Sequence, residues 1–202
     1  GELSSYLTAV PVTAVTVFGA LMLVWRSRTQ WTLGAVFMYS GLIGWVVGGM
    51  GAEIDATAPF NLHLHNTLWV PAHFHTYLLG GCLLFVLGWV FLLLESRSEY
   101  GTSRRMRWLI FSLTFGGMVT FLLGFYFGGA TGVPRRYNVQ PSPGPFIAQF
   151  ATIGAIIMIL GFALAFFEGL RLRSGFSADR IAWPEDVQVD ASLHEGLKVN
   201  VL

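Results

Sequence analysis

The sequence predicts an all-α membrane protein, with five transmembrane helices forming part of a larger bundle. Three observations lead there. Hydrophobic residues make up 54% of the 202 residues and charged residues 11%, less than half the share of roughly 25% usual in a soluble domain. The mean hydropathy is +0.61. The few charges are also gathered into short stretches, leaving long uncharged runs between them. A chain this poor in charge cannot cover a soluble surface, which excludes a soluble enzyme, a nucleic-acid binder and a disordered segment. Strands spanning a membrane would alternate with period two, and no such alternation is visible, so helices are the expected element.

The uncharged runs lie between Glu2 and Arg26, from Thr29 to Ala52, from Ala56 to Leu94, from Trp108 to Pro134 and from Tyr137 to Phe167. A spanning helix needs about 20 mostly apolar residues. The runs predict helices over about Ser5–Trp25, Trp31–Met50, Thr67–Leu94, Trp108–Gly128 and Phe146–Leu170. The third and fifth are long for one crossing and are expected to tilt or project. No basic stretch precedes the first run, so it does not read as a signal peptide. The chain opens on Gly1 rather than Met, as expected of a processed chain or a piece of a longer one.

Arg26 and Arg28 follow the first helix. Arg97, Arg104, Arg105 and Arg107 lie between the third and fourth, and Arg171 and Arg173 follow the fifth. Alternating helices put all of these on one side, which the positive-inside rule makes cytoplasmic. The N-terminus is then outside. Residues 1–173 form the transmembrane part, and residues 174–202 form a polar cytoplasmic tail with Asp179, Arg180, Glu185, Asp186, Asp190 and Glu195, suited to docking on a partner. The single cysteine, Cys82, excludes a disulfide framework and any multi-cysteine metal site.

One pair of charges breaks the orientation rule. Arg135 and Arg136 fall on the outer side, in Gly132-Val133-Pro134-Arg135-Arg136-Tyr137, a loop without an acid. They are either solvated or hold anionic groups at the membrane edge, such as lipid headgroups or haem propionates, for which the guanidinium fork is suited.

Four of the five histidines, His63, His65, His73 and His75, lie within thirteen residues. The first two precede the third helix. His73 and His75 lie inside its outer half, and ionisable groups there are rare and mark function by default. At about 100° per residue, positions i and i+2 point about 200° apart, so the two imidazoles face opposite flanks and do not share one metal ion. That arrangement suits two separate cofactors. Imidazole is a standard axial ligand of haem iron, and two haems hung on the outer half of this helix would direct their propionates toward Arg135 and Arg136.

At these residues the sequence resembles catalytic subunit I of the haem–copper oxidases. His73-Phe74-His75 after Val-Pro-Ala, with His65 eight residues upstream, resembles the tenth helix of that subunit. Val133-Pro134-Arg135-Arg136-Tyr137 resembles its propionate-binding loop between helices eleven and twelve. His65-Asn66-Thr67-x-Trp69-Val70-Pro71 is most similar to the B-type, ba3-like cytochrome c oxidases. The resemblance covers nearly the whole chain, as helices eight to twelve of a twelve-helix subunit, that is, its C-terminal half or a split subunit. It implies that His73 is the axial ligand of a high-spin haem, that His75 is an axial ligand of a low-spin haem, that Arg135 and Arg136 bind propionates, and that His65 lies in the propionate region. Asn66 stands where another branch has an aspartate at a magnesium or manganese site, and Asn61 where the B-type branch often has an acid near the propionates.

The same resemblance implies what other residues must supply. The copper ligands and the second low-spin haem ligand belong to helices this sequence does not contain. The implied activity is therefore that of a complex: two haems for electron transfer and reduction of O2 to water, coupled to proton translocation, with copper from another chain or the missing half. The implied partners are membrane lipid, the rest of subunit I and a subunit II-like copper or cytochrome electron donor, in a prokaryotic plasma membrane. The alternatives are a nitric oxide reductase-type subunit or a non-catalytic haem-binding or assembly subunit.

Lesser expectations concern packing. Thr8, Thr13 and Thr16 in the first helix either line a polar path or bond back to helix carbonyls. Gly34, Gly41, Gly44, Gly48 and Gly49 in the second helix, and Gly80, Gly81 and Gly88 in the third, predict close helix contact. Trp69, Tyr77 and Tyr126 read as aromatics at the membrane interface.

Overall fold

A computed structural model describes residues 2–27, 29–136 and 142–176. The elements in order are α1 (Glu2–Ser27), α2 (Leu33–Ala56), the short α3 (Ala58–Leu64), α4 (Trp69–His75), a π-helical segment (Thr76–Leu83), α5 (Leu84–Arg97), α6 (Arg104–Ala130) and α7 (Gly144–Ser174). Five spans are long and apolar enough to cross a membrane, the third being α4, the π segment and α5 taken as one helix over Trp69–Arg97. Third and fifth spans measure 29 and 31 residues. Side chains of Ser5 and Thr8, and the tail from residue 177 onward, lie outside the described residues.

Each helix end has a local cause. Thr32 caps α2 through a bond from Ala35 N–H, and Ser103 caps α6 through one from Met106 N–H. The α2 start is held a second time. Both carboxylate oxygens of Glu95, near the end of α5, accept from the N–H groups of Leu33 and Gly34 at 3.1 Å, where the helix dipole favours negative charge. Arg171 forks onto buried Glu168 at 2.6 and 2.8 Å and donates to the Gly101 carbonyl at 3.0 Å. That ties α7 to the loop before α6. All of these contacts lie at the end carrying most of the arginines.

Glycines set the spacing of the helices. A Cβ at Gly44 would lie 2.1 Å from the Gly80 carbonyl oxygen, and one at Gly34 would lie 2.5 Å from the Leu92 nitrogen. These glycines zip α2 onto the third span as their sequence pattern predicts. A second seam, unanticipated from the sequence, joins α6 to α7, where a Cβ added at Gly117 or at Gly154 would lie 2.4 Å from a backbone nitrogen of the partner helix. The buried core lies between the seams and contains Leu33, Phe37, Leu84, Phe91, Ile110, Met118 and Leu122. By contrast α1 packs mainly on α2 and exposes Leu7, Val15, Phe18 and Leu23. On it Thr16 bonds back to the Val12 carbonyl at 2.8 Å, while Thr13 Oγ1 faces Gly49.

Replacing Gly44 by alanine forces α2 and the π segment apart, an overpacking that costs about 1–3 kcal/mol. A thermal melt of the purified complex is expected to show the Gly44→Ala variant melting below the parent, with Gly19→Ala, where nothing lies within 4 Å of the added carbon, close to unchanged.

Candidate functional site

The histidine-bearing helix begins where two chain segments are bonded together. Thr67 and Pro134 form an antiparallel bridge. Leu68 N–H donates to the Val133 carbonyl and Arg135 N–H to the Asn66 carbonyl, each at 2.9 Å. The clasp places the arginine loop beside the start of α4. The end of α6 closes on the same point, since a Cβ at Gly129 would lie 2.2 Å from the Trp69 nitrogen. Arg136 takes a left-handed backbone conformation, φ 67°, which costs a side-chain-bearing residue about 1–2 kcal/mol. The clasp bonds the residues just before it, Val133 to Arg135. Tyr137 lies outside the described residues.

His73 and His75 leave the helix on different sides. His75 packs against Phe121 and Phe125 of α6, at ring separations of 5.8 and 5.9 Å. Its Nδ1 is 2.6 Å from the Pro71 carbonyl, so this nitrogen donates and Nε2 is the unprotonated one. His73 instead faces α2: a Cβ at Gly51 would stand 3.0 Å from its Nδ1. That Nδ1 is buried without a hydrogen-bond partner among the described residues. Its ring meets Tyr77 edge-on at 5.2 Å.

The aromatics expected at the interface also contact neighbouring spans. Trp69 meets Tyr126 edge-on at 4.8 Å, and the Tyr126 hydroxyl pairs with Thr76 Oγ1 at 2.9 Å. Tyr77 meets Trp45 at 5.0 Å. Of these rings, Tyr77 is the one in ring contact with His73.

On the His75 flank an open cavity of about 500 Å³ is lined by Leu68, Val70, Pro71, Phe74, Phe125, Arg135 and Arg136. Its walls are apolar and its rim is cationic. Arg135 Nε is buried and has no partner among the described residues. A buried guanidinium nitrogen left unpaired is costly, and an anion at the rim would satisfy it. Apolar walls and a cationic rim are complementary to an apolar body with an acidic edge.

His63 and His65 fall on and just after α3, and both are exposed. Neither joins His73 and His75 in a cluster. Among the described residues no group of three or more His, Cys, Asp or Glu is placed to hold a metal ion. Sequence reading passed over two acids that end α2. Glu53 Oε2 is buried without a partner among the described residues, and Asp55 follows it in the last turn of α2, its backbone carbonyl accepting from Asn61 Nδ2 at 2.6 Å. The available signal was their position: they interrupt two uncharged runs on the side with the fewest charges.

Comparison with known proteins gives the family. The model of the family described as Cytochrome C and Quinol oxidase polypeptide I matches residues 1–170. The chain is similar to probable quinol oxidase subunit 1 of Staphylococcus epidermidis, 29% identical over 164 residues, covering 80% of this chain and 24% of the relative. It is also similar to cytochrome c oxidase subunit 1 of Synechocystis sp., 28% identical over 158 residues, covering 77% of this chain and 28% of the relative. The chain therefore spans about a quarter of the length of these curated relatives. A heme-copper terminal oxidase dimer solved by cryo-EM has the same fold, with a TM-score of 0.66 at 24% identity over 85% of this chain and 36% of that one. With the family model matching nearly all of the membrane-spanning part, the chain belongs to the cytochrome c and quinol oxidase polypeptide I family.

Proposed function

We propose that this chain is the haem-bearing C-terminal part, helices eight to twelve, of a terminal oxidase subunit I of the B type. The observation that carries the reading is the geometry of one span. Two imidazoles leave opposite flanks of it, and a two-arginine loop is hydrogen-bonded to its outer end. The B-type assignment draws its support from Asn66-Thr67-x-Trp69-Val70-Pro71.

The residues fit two haems. His75 presents Nε2 because Pro71 holds Nδ1, and Arg135 and Arg136 rim an apolar cavity on that flank. His73, with its Nδ1 turned into the protein at Gly51, ligates on the other flank. The orphaned Arg135 Nε fits a propionate, and His65 lies in the propionate region. Bound haems supply one-electron transfer and, with a copper ion held by residues outside this chain, the reduction of O2 to water coupled to proton translocation. The chain's own part is to hold the two imidazoles at fixed angles, to exclude water with Phe74, Phe121 and Phe125, and to neutralise propionate charge. Electrons arrive through a subunit II-like copper or cytochrome donor. The rest of subunit I, in the same or a split chain, supplies the copper ligands. The N-terminus lies outside, and residues 174–202 form the cytoplasmic tail.

The assembled oxidase is expected to show one low-spin and one high-spin haem spectrum. His75→Ala should remove the low-spin signal and leave the high-spin one, and His73→Ala the reverse; both signals surviving in both variants would sink the assignment. Arg135→Gln removes a positive charge and a charge-assisted hydrogen bond worth about 1.5–3 kcal/mol. Redox titration is expected to show a lower midpoint potential for at least one haem, because the oxidised form is no longer opposed by the guanidinium.

A further inference from the structure

We infer that Tyr77 is the positioning residue for the His73 imidazole: its ring, seated on α2, fixes the angle at which the imidazole leaves the span. The inference rests on the reading of His73 as a haem ligand and adds what orients that ligand.

The two histidines are held by different means. His75 is set by a hydrogen bond, its Nδ1 2.6 Å from the Pro71 carbonyl. His73 Nδ1 is buried and has no hydrogen-bond partner among the described residues. The last torsion of a histidine side chain is broad and roughly two-fold, so without such a bond the ring takes its angle from what packs on it. The α2 backbone supplies one contact, since a Cβ at Gly51 would stand 3.0 Å from His73 Nδ1 and 3.6 Å from its Cγ. Tyr77 supplies the other. It lies four residues on, one turn along the same helix face, and meets the imidazole edge-on with 5.2 Å between ring centroids and 77° between planes.

One ring can orient another only if it is itself held. A Cβ at Gly48 would lie 2.9, 3.0 and 3.1 Å from Cδ1, Cγ and Cε1 of Tyr77, and one at Gly49 would lie 3.6 Å from its hydroxyl oxygen. The tyrosine ring therefore rests on bare backbone. Trp45 meets it edge-on at 5.0 Å. Trp45, Gly48 and Gly49 are spaced i, i+3 and i+4 and so share one face of α2. At Gly44 the missing side chain admits the Gly80 backbone; at Gly48 it admits a ring.

Groups packed around a ligating histidine tune the metal by fixing the orientation of the imidazole, which sets its overlap with the iron orbitals. Tyr77 acts on the iron only through His73. His75 packs instead on Phe121 and Phe125 of α6, so the low-spin haem is an internal control.

The test reads the iron–histidine stretching band of the reduced high-spin haem, by resonance Raman, in the assembled oxidase. Tyr77→Leu is expected to broaden and shift the band, as the imidazole samples several angles, and to leave the low-spin spectrum unchanged. Tyr77→Phe, which keeps the ring, should restore the parent band. Gly48→Ala, whose added carbon has Tyr77 ring atoms as its three nearest neighbours, should shift the band as well, and the shift should vanish in the Tyr77→Leu background because the coupling runs through the ring. A parent-like band in Tyr77→Leu, a Phe variant shifted as far as the Leu one, an equal change in the low-spin haem, or a Gly48→Ala shift that persists without the ring would each overturn the inference. If Tyr77→Leu does not assemble, an unchanged band in Gly48→Ala does so. Failure of the parent reading is separable, because it appears as a high-spin signal that survives His73→Ala.

Discussion

Helices in lipid gain nothing by hiding apolar surface from one another, since the acyl chains are as apolar as their side chains. What holds them together is the closeness of their backbones. Here α2 and the histidine-bearing span approach until a single added carbon at Gly44 would overlap the Gly80 carbonyl. That distance decides much of what lies above it. It sets Gly51 against the His73 ring and draws Tyr77 between Trp45 and His73. It also brings the end of α2, with its two acids, level with the start of α4. An added methyl group deep in the seam would therefore be felt at the imidazole about two turns away.

The other side of the site is fixed by hydrogen bonds rather than by packing. Where α6 ends and α4 begins, the chain leaves the helical pattern, and its backbone groups need partners. The 66–68 and 133–135 segments supply them to each other. The result ties the position of two arginines to that of two histidines about sixty residues earlier in the sequence. The left-handed Arg136 is the local cost of that tie.

Much of this was legible in the sequence. Charge spacing gave the five spans, because removing a helix from water requires an uncharged run of fixed length. The glycine seam on α2 was legible for a similar reason, as small residues recurring along one helix have few other uses. The opposite aim of His73 and His75 followed from helix geometry alone. Other features were hidden. The short α3 over His63 is too brief to leave a periodic signature, and composition does not tell which neighbours the rings of Trp69 and Tyr126 will meet. Asp55 and Glu53 read as mere boundaries of uncharged runs, since composition does not tell that a carboxylate oxygen at the end of α2 will be buried. The roles assigned to the histidines and arginines rest on resemblance and fit together.

The π-helical stretch over Thr76–Leu83 has a consequence for angular phase. In an unbroken α-helix, at about 100° per residue, Gly80 and Gly88 would point about 80° apart, yet both abut α2, at Gly44 and Met38. A wide turn with i→i+5 bonding takes up one extra residue, and seven effective steps bring the second glycine to within about 20° of the first. The span thus behaves as two helices with a phase correction between them. The outer one is clocked to its imidazoles and the inner one to its contact seam, and neither demand has to compromise the other.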